Sequence, residues 1–107
     1  MAYKVLGQVA PSATTNTDLY TVPAGKATVV STLAVCNRSE STVVKYRVAV
    51  RPAGATLASQ HYIAYDCGIP ASSSDFLTLG LALAATDVVT VYADSANASF
   101  SLFGAEA

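Results

Sequence analysis

Tryptophan is absent, histidine and methionine occur once each, and cysteine occurs only twice in 107 residues. Each scarcity removes a class of chemistry. A single imidazole, His61, cannot supply the paired histidines of a zinc site, and Cys36 and Cys67 are not in C-x-x-C spacing. A Ser-His-Asp set is formally available from His61, Asp66 and a serine, but no G-x-S-x-G elbow presents a nucleophile. His61 reads instead as a strand residue with its ring against Tyr65. No D-x-D-x-D calcium loop is present, and Gly54, Gly68 and Gly80 are too isolated to cradle a phosphate. The expectation is a protein with no enzyme activity, no metal and no cofactor.

Charge is equally sparse. Charged residues make up 12 % of the chain, about half the usual share. Six basic and seven acidic residues give a net charge of −1 with no basic run, so no nucleic-acid partner is expected. No apolar run approaches the ~18 residues of a membrane span. The opening MAYKVLGQVA has one lysine and no apolar h-region, so no secretion signal is read and the chain is expected to stay in the cytoplasm. Both thiols are then expected to be reduced, acting as small hydrophobes at strand ends. Without secretion, the sequons Asn37-Arg38-Ser39 and Asn97-Ala98-Ser99 are chance matches. A skin poor in lysine and glutamate does little to keep molecules apart. Part of the outside is therefore expected to be covered by copies of the chain or by a larger body.

What the sequence does hold is alternation. In Thr42–Arg51, Val44, Tyr46, Val48 and Val50 share one face, while Lys45, Arg47 and Arg51, three of the six basic residues, share the other. A period of two in β-branched and aromatic residues marks a half-buried strand, expected in the middle of a sheet. Further strands are read at Tyr3–Val9, Asp18–Val22, Ala27–Cys36, Gln60–Asp66, Asp75–Leu83, Val88–Ala93 and Ala98–Phe103. Ala27–Cys36 is apolar or small on both faces, so it is expected to be covered on both sides. In Asp75–Leu83 the leucines 77, 79, 81 and 83 share a face, and Gly80 suggests a bulge or a close backbone approach. Pro23-Ala24-Gly25-Lys26 and Pro52-Ala53-Gly54-Ala55 read as turns. Ala55–Gln60 is left open as a helical turn, Gly68–Ser74 as loop and Asn37–Ser41 as a hairpin loop. About eight short strands at regular spacing predict one all-β domain over residues 1–107, an antiparallel β-sandwich of jelly-roll or immunoglobulin-like topology.

Asp66, Asp75, Asp87 and Asp94 fall at strand ends, where aspartate caps turns. The six tyrosines suit interfaces and sandwich rims alike. The residues expected to meet partners are Tyr3 and Lys4, in a segment 1–8 that reads either as a first strand or as an arm, and the basic row Lys45, Arg47 and Arg51.

Four stretches together resemble a small structural protein of tailed bacteriophages: Val5–Lys26, Val29–Ser39, Arg47–Ala55 and Leu81–Gly104. The piece Leu19-Tyr20-Thr21-Val22-Pro23-Ala24-Gly25 is similar to the opening strand and turn of many phage virion β-domains. The resemblance implies a capsid decoration (cement) protein on the outer head surface. Its partners would be the major capsid protein and copies of itself, with a homotrimer favoured. A tail-fibre or baseplate module binding host glycan or another tail protein is the alternative it implies.

Overall fold

The computed structural model describes residues 2–107, the side chain of Leu79 excepted. The described residues form eight strands: β1 (Ala2–Val9), β2 (Thr17–Thr21), β3 (Thr28–Asn37), β4 (Val44–Arg51), β5 (Tyr62–Ile69), β6 (Ser74–Leu83), β7 (Val88–Ala93) and β8 (Ala98–Glu106). They lie in two antiparallel four-stranded sheets, ordered β1-β8-β3-β6 and β2-β7-β4-β5. The pairs β1–β8, β2–β7, β3–β6 and β4–β5 are nested, as in one long hairpin folded over on itself. That is the double-sheet jelly roll, and of consecutive strands only β4 and β5 pair over the described residues. The Asn37–Ser41 loop is accordingly no hairpin; it carries the chain from one sheet to the other.

β3 explains how the layers close. Its inward residues Val30, Leu33 and Val35 are fully buried against Val44, Tyr46 and Val48 of β4, Val89 and Val91 of β7, and Phe100 and Leu102 of β8. The Tyr46 and Phe100 rings meet edge to face, 6.2 Å between centroids, a favourable aromatic geometry. At its two ends β3 turns polar, with buried Thr28 and buried Asn37. Buried polar groups need partners or they cost stability, and both have them. Tyr20 Oη lies 2.8 Å from Thr28 Oγ1 and donates to the Glu106 carboxylate, while Lys4 Nζ reaches Glu106 Oε1 at 3.2 Å. At the other end the Asn37 amide donates to the carbonyls of Thr42 at 2.8 Å and Ile69 at 3.0 Å, and its Oδ1 accepts from Ser39 N–H at 2.9 Å. The Asn37 sequon is therefore an internal clasp.

Several expectations change in detail. β5 does not stop at Asp66 but continues through Cys67, Gly68 and Ile69, with Asp66 in a left-handed bulge at φ 51°. His61 precedes β5 in a short 3-10 turn (Ser59–His61), and its Nδ1 accepts from Ala58 N–H at 3.0 Å. The ring that meets Tyr65 is Tyr62, edge to face at 4.9 Å. Register slips opposite Gly80, as a bulge there requires. Leu77, Leu81 and Leu83 pack on the core; the expected inward place of Leu79 lies outside the described residues. Ala2–Gln8 pairs along β8 as a first strand, with a register slip between Val5 and Gly7, while Met1 lies outside the described residues. Of the four aspartates, Asp87 and Asp94 cap backbone N–H groups, whereas Asp66 pairs with Arg47 and Asp75 accepts from Tyr46. Cys36 and Cys67 are free thiols.

Two candidate docking faces

The five residues expected to meet partners do not converge. Tyr3 and Lys4 belong to one sheet and Lys45, Arg47 and Arg51 to the other. Strand alternation sends Tyr3 outward, 77 % exposed, and Lys4 inward toward Glu106 at the sandwich end.

The basic row of β4 does lie on an outer face, but most of its charge is spent inside the chain. Arg47 Nε donates to Asp66 Oδ1 at 2.7 Å, and its guanidinium is sandwiched between the rings of Tyr65 at 4.2 Å and Tyr92 at 4.4 Å. Stacking and pairing suit the planar guanidinium, where a lysine would not serve. The hydrogen bond from Arg47 holds the Asp66 carboxyl below the usual carboxylate range. Arg51 is as fully engaged: Nε to Thr90 Oγ1 at 3.0 Å, Nη2 to Asp18 Oδ1 at 3.0 Å, and Nη1 to Ala55 O at 3.0 Å. Lys45 forms no ion pair among the described residues. Beside this network lies an open groove of about 500 Å³ lined by Leu57, Ala58, Ser59, Tyr62 and Tyr65. The face is a pre-formed, internally neutralised lattice of rings and ion pairs, and its capacity to attract an acidic surface is correspondingly small.

The opposite face, on β1-β8-β3-β6, is of another kind. Register aligns its outward residues in rows across the four strands. One row is Tyr3, Ala105, Val29 and Ala82; the next is Val5, Phe103, Thr32 and Thr78; a third is Gln8, Ser101, Ala34 and Phe76. Ser99, Cys36 and Ser74 end the face. None of these positions holds a charged residue, although the chain has thirteen (six basic plus seven acidic). Tyr3, Val5, Val29 and Phe76 stand 77, 50, 44 and 72 % exposed. Phe76, Val5, Val29 and Phe103 are functional candidates that reading strand by strand missed. The two apolar sides of β3 were the signal, and the pairing of its neighbours supplies the rest.

His61 and Asp66, the residues of the formal catalytic set, are not joined: the imidazole is tied to Ala58 and the carboxylate to Arg47. No family model matches the chain, and no curated protein or solved structure is significantly similar to it.

Proposed function

We propose that this protein is a non-enzymatic structural component of a phage virion, a decoration protein that sits on the outer head lattice and strengthens it through protein–protein contacts. The observation that carries this reading is the uncharged, largely apolar outer face of β1-β8-β3-β6. Exposed apolar patches of this breadth mark surfaces that are covered in the working state. A protein repeated over a lattice needs little from any single contact, because contacts engaged together multiply in effect. The major capsid protein and copies of this chain are the partners, and the resemblance of the sequence to phage virion β-domains supports the same assignment. The test is a comparison of purified heads with and without the protein. Heads lacking it are expected to rupture at lower temperature and under milder osmotic shock; equal resistance would overturn the assignment.

A second reading, a tail-associated module that binds host glycan, is favoured by one feature, the groove beside Tyr62 and Tyr65. Exposed aromatic rings offer faces on which a sugar can stack. It predicts binding on a glycan array that Tyr65→Ala abolishes, and silence of the wild-type protein removes it.

A further inference from the structure

We infer that the uncharged face of β1-β8-β3-β6 is closed by the same face of a second copy, related by a two-fold axis running along the strands. This rests on the reading above, in which that face is covered, and names what covers it.

Three features favour a copy over a foreign partner. The first is electrostatic. In an isologous contact every residue meets its own face, so any net charge on the face would confront its like. A face without a single charged side chain is free of that penalty, while a partner chosen by charge would find nothing here to read. The second is extent. Four strands at ~4.8 Å spacing and about eight residues in length present roughly 500 Å² in projection, more once side-chain relief is included. A pair of such faces reaches the lower part of the ~1,200–2,000 Å² typical of stable interfaces.

The third is shape. With the axis parallel to the strands, β1 lies over the partner's β6 and β8 over the partner's β3. Rows then stack on themselves in reverse order, so Tyr3 meets the partner's Ala82, Phe103 meets the partner's Thr32, and Val29 lies over the partner's β8 at the partner's Ala105, whose small side chain is covered by its own neighbours and leaves room there. Phe76 meets the partner's Gln8 in the same way. Large residues fall opposite small or slender ones, the condition for two sheets to interdigitate at ~10 Å. The symmetry along this face is two-fold; a threefold assembly of the kind the resemblance implies would be built through other surfaces.

Cys36 supplies a native probe, because it faces outward in the last row of the interface and is a free thiol. Sedimentation of the wild-type chain is expected to give twice the 11.0 kDa of the monomer. Val29→Lys and Phe76→Lys, both at exposed outward positions, are expected to raise the dissociation constant at least tenfold while leaving circular dichroism unchanged and removing the concentration dependence of melting. A short-spacer bismaleimide should link Cys67→Ser dimers through Cys36 and fail on Cys36→Ser. Ala82→Lys, also exposed, replaces either lysine variant that does not fold. A wild-type monomer at all accessible concentrations, a dimer indifferent to these lysines, or a trimer that survives them overturns the inference. Add-back to heads separates it from the broader reading. A monomer that still strengthens heads sinks the dimer and leaves the decoration role standing. A dimer that never binds heads retains the two-fold face and ends the decoration role.

Discussion

The Asn37 amide ties the end of β3 in one sheet to the paired β4 and β5 of the other, through Thr42 just before β4 and Ile69 at the end of β5, and to its own turn through Ser39. Asn37→Ala leaves these buried groups without a partner, and unmade bonds of this kind cost ~1–3 kcal/mol each. The variant is expected to lose about 3 kcal/mol in a urea titration. Tyr46 is coupled to water less tightly: burial first, and its bond to Asp75 second, push its hydroxyl far above the ordinary tyrosine value. Titration at low pH reports on the carboxylates. The hydrogen bond from Tyr20, with that from Lys4, lowers the Glu106 carboxyl, and Arg47 lowers that of Asp66. A carboxyl with a lowered folded pKa contributes stability above its unfolded value, near ~4.3, and loses it as pH falls through the folded value. Urea midpoints are therefore expected to be flat from neutrality to about pH 4.5 and to fall below it. The fall should be shallower in Glu106→Gln, and an unchanged slope would show that this carboxylate is not part of the acid response.

Among the strands, β8 is an interior one, lying between β1 and β3 with Gly104 facing inward. A Cβ there would collide with the Val29 carbonyl and crowd Val30 Cα at 3.0 Å. Backbone cannot yield as a side-chain tip can, so Gly104→Ala is expected to lower stability by about 2–3 kcal/mol in thermal or urea unfolding. Gly80→Ala, with nothing within 4 Å of the added carbon, should stay within ~0.5 kcal/mol of wild type. Gly80 was legible in the sequence as a bulge, and alternation located all eight strands, because period two depends only on neighbours along the chain. Pairing was not legible. Nothing local in YKVLGQV says that its partner is the last strand, since nested pairing is decided by how the whole core closes. Gly68-Ile69 read as loop because glycine and Pro70 dominate locally, yet Ile69 is fully buried against β4. The basic row of β4 was legible as a face; the rings and carboxylates that occupy its charges come from β2, β5 and β7, and only the fold assembles them.

For the molecule as a whole, the two broad faces divide the work. One is neutral, apolar and hydroxyl-bearing; the other carries the paired arginines, the caged guanidinium and the tyrosine groove. A sandwich attached through one of them presents the other away from the contact. The nested pairing also fixes what the fold can lose. Removing Ala98–Ala107 strips β1 of its partner and uncovers the flank of β3, where β8 supplies Phe100 and Leu102 to the core. The truncated chain is expected to show no cooperative melting transition, and a sharp one would mean that β8 is an accessory. The side-by-side pairing of Ala2 with Glu106 carries a consequence for synthesis. β1 must wait for β8, so a nascent chain cannot pair β1 until synthesis has passed Glu106, some hundred residues later. Aggregation is then a hazard of elongation, when greasy strands sit without neighbours, and slow translation over the codons between β1 and β8 would lengthen that exposure.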